Sequence, residues 1–435
     1  MDGDPDDLEL LLATTRQEVD ALRDDRRLAP IQGSRGAALR EHVLDLLGAF
    51  DHRIAETPDA GASPAVRRAF ARSLRQSMVM LRGAYAALPW LAATREPTVN
   101  LGSLYLAEEL ATALVGSDVD LVVVPNAEAM YSTTSWPFSA VIDGTAGFTP
   151  SASRRPIVLN YPLSDGDRLL LHPLFAHEIG HASVHEHNLV STVETGLDSS
   201  EAFSDAFSET IQAMKTFWPA ASETRIIGTL RAMLRAWIEE LLCDHLATEA
   251  MGPAFLLAFA CFVMPLSYGE PGNQHPPATL RVRLMLEHLA RRGWDPYLDS
   301  VTPGIKSWLT NVSADAAGAA PAPSFAFFRD QLADNAETLQ DTTNVRVGSH
   351  CLDPAASIPA ADEAAALLDA SILPVGLDEP LHGRAILLGG WQSAIRRHGD
   401  RPEGLVHALA DRRLQDLVGK AIEMSTVVTS WRATA

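Results

Sequence analysis

Cysteine is scarce in this chain: Cys243, Cys261 and Cys351 are the only three among 435 residues. They lie far apart in the sequence and form no CxxC pair, which excludes a disulfide-built framework and is typical of a reducing cytoplasm. The first seven residues are acidic and have neither the basic start nor the apolar stretch of a secretory signal. We therefore expect a cytoplasmic protein.

Positive charge is also in short supply. The chain has 35 lysine and arginine residues against 55 aspartate and glutamate residues, a formal net charge of −20. Because phosphate contacts need a basic surface, this balance argues against a nucleic-acid partner and against an anionic membrane surface. One long uncharged run, residues 251–269, is interrupted by Pro253 and Pro265. It predicts a buried core helix rather than a membrane span.

Apolar residues, by contrast, are plentiful at 47 %, and charged residues make up 21 %, so the chain can bury a large core. Helical periodicity dominates, and we predict an α+β fold that is predominantly helical. The pattern indicates four regions, namely a helical region 1–115, a central region 116–300, a linker and helix 301–349, and a C-terminal helical region 350–435. No chemistry is evident in the first or last of them.

A small sheet is predicted just before residue 165. Three runs rich in β-branched and apolar residues, 119–124, 138–142 and 156–161, are separated by turn residues. An edge of such a sheet is suited to bind an extended peptide by strand addition. The sequence therefore predicts a peptide-binding element ahead of the histidine motif described next.

The chemistry-bearing motif is His177-Glu178-Ile179-Gly180-His181. Histidines four residues apart lie on one face of a helix, where both imidazoles can bind one Zn²⁺ ion. Glu178 then projects beside the ion and can take a proton from water whose pKa the metal lowers. Gly180 costs helix stability, so its presence indicates close approach of another element. The motif predicts a catalytic zinc site with Glu178 as general base.

A third ligand must come from elsewhere in the chain. We favour Glu240, because Asp244 follows one helical turn later and can accept the free N–H of a ligand histidine. Glu201, which opens an EAFSD segment at a thermolysin-like distance, is the alternative third ligand. His187 is a weaker candidate, since Val184 stands where a turn glycine is expected. Glu239 is predicted to point about 100° away from Glu240, into solvent.

These motifs together carry a family resemblance. HExxH, then ExxxD at positions 240–244, then HPPxxxR at positions 275–281 resembles the gluzincin group of CaaX prenyl proteases and heat-shock membrane peptidases, as a soluble bacterial relative. The resemblance covers about residues 165–290 and implies a zincin-like catalytic domain within region 116–300. It implies Zn²⁺ ligands His177, His181 and Glu240, the base Glu178, and Asp244 behind the ligands. It also implies that His275 and Arg281 stabilise the oxyanion or organise the site.

The chain departs from that family because it lacks several clear membrane spans, so lipidated membrane substrates are not carried over. We expect a soluble intracellular zinc metallopeptidase that hydrolyses peptides or proteins. Two alternatives stay open. One is a non-catalytic binding or structural protein with the same fold, which an intact Glu178 disfavours. The other is a toxin- or defence-type protease that is silent until triggered, whose activity would rise on removal of residues 350–435.

Overall fold

A computed structural model of the chain describes residues 6–29, 36–93, 99–127, 130–135, 141–142, 144–151, 154–263, 272–314, 323–347, 350–376 and 381–434. The fold is predominantly helical with a small three-stranded sheet, which confirms the predicted α+β class. The chain forms two compact units. The first comprises Met1–Val99, Ser117–Asn126 and Ser132–Tyr161; the second comprises Asn100–Gly116, Ala127–Tyr131 and Pro162–Ala435.

The first unit packs three helices with the sheet. Its helices and strands are α1 (Asp6–Arg23), α2 (Ala37–Ala55), α3 (Pro64–Ala93), β1 (Val119–Asn126), β2 (Ser132–Ser135) and β3 (Arg155–Pro162). The strand order is β1-β3-β2, and β2 runs antiparallel to β3 with Ser132 opposite Asn160. Leucines of the helices share one hydrophobic core with Val122 and Val158 of the strands. This burial explains why apolar residues dominate β1 and β3.

Two of the three predicted strands are confirmed, since β1 contains residues 119–124 and β3 contains residues 156–161. The third prediction falls mostly on residues 138–140, which lie outside the described residues. Its last two residues, Val141 and Ile142, are helical and buried, so the prediction is wrong there. A short apolar run fits a buried helical turn as well as a strand. The strand β2, with its polar sequence STTS, was not predicted.

The second unit is built of helices. Their bounds are α4 (Leu101–Leu114), α5 (Leu174–Glu186), α6 (Leu189–Asp198), α7 (Glu201–Phe217), α8 (Glu223–Met251), α9 (Pro253–Phe262), α10 (Ala278–Arg291), α11 (Asp295–Val301), α12 (Pro303–Ala314), α13 (Pro323–Asp334), α14 (Ala336–Val347), α15 (Pro354–Asp369), α16 (Gly383–His398), α17 (Pro402–Ala410) and α18 (Arg412–Thr434). Serine caps start two of them: Ser200 accepts from the Phe203 amide and Ser222 from the Arg225 amide.

The apolar run 251–269 forms the buried helix α9 in its described part, as predicted; residues 264–269 lie outside the described residues. Pro253 occupies the first turn, where its missing N–H costs little. Gly252 separates α8 from α9 with φ +56°, and a Cβ there would come within 2.9 Å of Trp294. Only glycine meets both demands. In the described part of the chain, no helix has the length and hydropathy of a membrane span.

The C-terminal helices belong to the same compact unit as the motif helix α5. The Leu352 amide donates to the Glu249 carbonyl of α8, and Arg384 donates to the Ala250 carbonyl and to the Glu109 carboxylate of α4. These bonds hold Leu352 and Arg384 against the end of α8. The predicted division of the chain into functional regions stays a prediction, and most of the predicted linker 316–323 lies outside the described residues.

Candidate metal centre

Two helices of the second unit, α5 and α8, build the site. His177 of α5 pairs with Asp244 of α8, and His181, four residues later on α5, pairs with Glu239, five residues earlier on α8. The two helices therefore run antiparallel where they cross. Gly180 faces Cys243 of α8, and a Cβ at position 180 would lie 3.4 Å from the Cys243 Cα. The close approach predicted from Gly180 is therefore present, and α8 is the element that makes it.

Sequence and burial explain why α8 needs partners. From Glu240 to its end this helix is buried all round, and its buried stretch contains the carboxylates of Glu240, Asp244 and Glu249. A buried carboxylate is costly unless it is paired. The histidines of α5 and the cations of α10 supply that pairing, which draws polar groups into an otherwise apolar layer.

The two motif histidines and Glu240 converge. One ligand-type atom from each of these three residues lies within 4.8 Å of the other two. The His177 Nε2 atom is 3.5 Å from Glu240 Oε2, and the His181 Nε2 atom is 3.6 Å from Glu240 Oε1. Among the described residues, this is the one group of three or more histidine, cysteine or acidic side chains with such a spacing. The structure thus brings together the three predicted ligands.

The two other candidates for the third ligand lie outside this group. Glu201 is an exposed residue in the first turn of α7, and His187 follows the last residue of α5. Glu240, by contrast, is buried between both histidines. The geometry therefore favours Glu240.

Asp244 lies behind His177, where the sequence placed it. Its Oδ1 atom is 3.0 Å from His177 Nδ1, although the ring N–H is poorly aligned with the carboxylate. Arg281 of α10 donates from Nε and Nη2 to both oxygens of Asp244 at 2.7 Å. Its Nη1 atom is 3.1 Å from Glu240 Oε2, and Phe259 lies under the guanidinium plane. Arg281 thus bridges the carboxylates of Glu240 and Asp244.

Glu239 corrects the sequence analysis. It was predicted to be a solvated charge, but its Oε1 atom accepts from His181 Nδ1 at 2.8 Å and lies 2.9 Å from His185 Nε2. The prediction failed because it considered α8 alone. Glu239 points about 100° away from Glu240 around α8, but it still faces α5, where it contacts His181 and, one turn further, His185. His185 continues the stripe of His177 and His181 in the sequence, and this stripe is the signal that points to Glu239, because His181 and His185 both contact it.

The electrostatics follow from these pairs. Burial alone raises the pKa of Glu240 and Asp244, but Arg281 and His177 outweigh it and hold both pKa values below their usual range. Burial likewise lowers the pKa of His177, but Asp244 and Glu240 reverse this and raise it to about 10. The pKa of Glu239 is lowered to about 2 by its two histidine partners against the effect of burial. These pairings keep the carboxylates of the site ionised, and Arg281 and the histidines balance much of their negative charge.

The three residues with predicted catalytic roles differ in position. Glu178 is half-buried on α5, beside the first ligand candidate. The His275 Nε2 atom lies 3.6 Å from Glu240 Oε1, and half of its side chain is exposed, so it stands at the solvent side of the group. Arg281 is buried, and three of its nitrogens are paired with carboxylates. Of the two roles predicted for Arg281, this position favours organising the site over binding an oxyanion.

Replacing Arg281 with methionine is expected to lower the free energy of unfolding of the zinc-free protein by about 3–5 kcal/mol, because two buried carboxylates lose their cation. Arg283→Met is the matched control on the same helix, since Arg283 pairs with Glu287 on the exposed surface and should cost less than about 1 kcal/mol. Urea unfolding of both variants measures the difference. Equal costs would show that Arg281 contributes no more than a surface pair.

The group is compatible with a metal site made of two histidines and one carboxylate, with further carboxylates next to the imidazoles. Comparison of the chain with protein families, with curated proteins and with solved structures gives no match. The resemblance to gluzincin peptidases therefore stays a prediction that rests on the motifs.

Proposed function

We propose that this protein is a zinc-dependent metallohydrolase, and specifically a soluble, cytoplasmic peptidase with a gluzincin-like catalytic domain. One observation carries the proposal: His177, His181 and Glu240 converge in a buried group, and Glu178 follows the first of them in the chain. A purely structural metal site needs no general base, so the glutamate next to the first histidine supports a catalytic site.

The residues fit a zinc ion. Two ligand atoms bound to one tetrahedral zinc at 2.0–2.2 Å are about 3.3–3.6 Å apart. The His177 Nε2 atom lies 3.5 Å from one Glu240 oxygen and the His181 Nε2 atom 3.6 Å from the other, while one ligand atom from each of the three residues lies within 4.8 Å of the others. A small adjustment of the side chains would bring the set into that range. Two imidazoles and one carboxylate are also the ligand set of many catalytic zinc sites, which leave one position for water or substrate.

When bound, the zinc ion would polarise the carbonyl of the scissile peptide bond and lower the pKa of water at the site. Glu178 accepts a proton from the attacking water while the water oxygen forms a bond to the carbonyl carbon. The carbon–nitrogen bond then breaks, and Glu178 returns the proton to the leaving amine. His275, half exposed beside Glu240, donates a hydrogen bond to the oxyanion. Arg281 keeps Glu240 and Asp244 in place.

The proposal is tested on the purified full-length chain. Metal is removed with a chelator, zinc is restored, and the zinc content per chain is measured after desalting. The reconstituted protein is then incubated with a peptide library, and new termini are identified by mass spectrometry. We expect one zinc per chain and zinc-dependent cleavage. No zinc after reconstitution would overturn the proposal, while stoichiometric zinc without any cleavage would favour a non-catalytic binding protein.

A further inference from the structure

We propose that Glu239 is a positioning residue of the metal centre, which fixes the ring of His181 so that its Nε2 atom faces the metal. The inference rests on the proposed metal site, but it concerns how that site is held rather than what reaction it performs. Glu239 sits at the edge of the site, between His181 and His185.

A histidine ring presents Nε2 to a metal in neutral form only if its proton sits on Nδ1. The His181 Nδ1 atom is 2.8 Å from the Oε1 atom of Glu239. The Nδ1–H group therefore donates a hydrogen bond to this carboxylate oxygen. The His181 Nε2 atom then points towards Glu240, 3.6 Å away. Glu239 thus selects both the tautomer and the ring orientation that ligation requires.

The arrangement repeats on the other histidine. His177 directs Nε2 to Glu240 and Nδ1 to Asp244. On α8, Glu240 is therefore flanked by two carboxylates, each serving one ligand imidazole. The Asp244 partner is visible in the sequence as part of ExxxD, whereas the Glu239 partner comes from the crossing of α5 and α8. Together they give each histidine its own orienting carboxylate.

His181 depends on this partner more than His177 does. The side chain of His177 is 9 % exposed and stacks parallel to Phe255, so packing restricts its ring. The side chain of His181 is 22 % exposed, which leaves water to compete for its Nδ1 proton. The hydrogen bond that His181 Nδ1 donates to Glu239 opposes rotation of this ring.

His185 holds Glu239 from the other side. Its Nε2 atom lies 2.9 Å from the same Oε1 oxygen that His181 contacts. One carboxylate oxygen therefore lies between two imidazoles one helical turn apart on α5. This places Glu239 where it can serve His181 even though neither side chain is fully buried.

The test compares three variants of the full-length chain, namely Glu239→Ala, Glu239→Gln and the control Glu194→Ala. Glu194 is a carboxylate with similar exposure, 16 % against 25 % for Glu239, whose partners are Arg231 and Arg235. Zinc affinity is measured by chelator competition. Cobalt is then substituted, and its visible absorption spectrum reports the geometry of the ligands.

We expect Glu239→Ala to weaken zinc binding about 10–100-fold and to alter the cobalt spectrum. The Glu239→Gln amide oxygen still accepts the Nδ1 hydrogen bond, so this variant should fall between wild type and alanine. Glu194→Ala should bind zinc within about threefold of wild type. A folded Glu239→Ala protein with wild-type zinc affinity and cobalt spectrum would overturn the inference.

A second measurement separates this inference from the proposed function. Nitrogen-15 spectra of the histidine side chains in the metal-free protein report which ring nitrogen carries the proton. We expect the Nδ1–H tautomer for His181 in wild type and its loss in Glu239→Ala; an unchanged tautomer would overturn the inference. Wild type that binds zinc without cleaving peptides would sink the peptidase proposal while the role of Glu239 stands.

Discussion

Replacing Glu178 with glutamine is expected to leave one zinc ion per chain and to lower the rate of peptide hydrolysis by about 10²–10⁴-fold, the usual contribution of a general base. Glutamine keeps the shape of the side chain but cannot accept a proton from water. Metal content should not change, because the converging group consists of His177, His181 and Glu240. The measurement is the cleavage rate at saturating zinc beside the zinc content of the same sample.

Glu186→Gln is the matched control, since Glu186 is an exposed glutamate near the end of the same helix α5. Its cleavage rate should stay within about twofold of wild type, as for most surface substitutions. If Glu178→Gln cleaved peptides as fast as this control, Glu178 would not be the base, and the proposed mechanism would fail even with zinc in place.

The sequence was informative about the site because the main contacts lie at helical spacing. His177 with His181, and Glu240 with Asp244, each sit one turn apart on a single helix, and the structure brings these four residues together. The role of Glu239 could not be predicted in this way. It depends on how α5 crosses α8, where Gly180 packs on Cys243, and not on spacing within either helix.

The bounds of the helices, too, could be predicted only in part from the sequence. Apolar periodicity predicts helices over 223–249 and about 278–291, and the structure has α8 and α10 with nearly these bounds. Capping residues and prolines mark both helices locally. The same periodicity predicts single helices over 325–339 and 405–428. In the structure the first range is divided between α13 and α14, and the second between α17 and α18. A break of one residue, as at Asp411, leaves the apolar periodicity almost unchanged. At Asp411 the break coincides with a helix cap, since the Asp411 carboxylate accepts from the Leu414 amide.

The C-terminal helices change how a trigger should be sought. A regulated protease was expected to gain activity on removal of residues 350–435. These residues, however, pack within the same compact unit as the metal centre, and Leu388, Trp391 and Ala394 of α16 are fully buried. Removing them would expose apolar core and destabilise the unit. Loss of activity on truncation would therefore say nothing about a trigger.

Replacing Glu240 with alanine is expected to weaken zinc binding by about 10²–10⁴-fold, because the free energy of a zinc site, about 10–16 kcal/mol, is shared among three or four ligands. Glu240→Gln should also lose affinity despite its unchanged shape, since a neutral amide replaces an anion. The loss should exceed that of Glu239→Ala, which leaves all three ligands in place. Chelator competition measures each affinity on the same scale.

Glu201→Ala is the control that decides the third ligand. Glu201 lies exposed at the start of α7, outside the converging group, so its loss should leave zinc affinity unchanged. Wild-type affinity in Glu240→Ala together with lost zinc in Glu201→Ala would reverse the assignment. It would also require α7 to move towards the histidines, because Glu201 lies outside the converging group. In the structure it is Glu240 that contacts His177, His181 and Arg281. Because Glu240 lies close to both imidazoles, we expect Glu240→Ala to lose zinc affinity and Glu201→Ala to keep it.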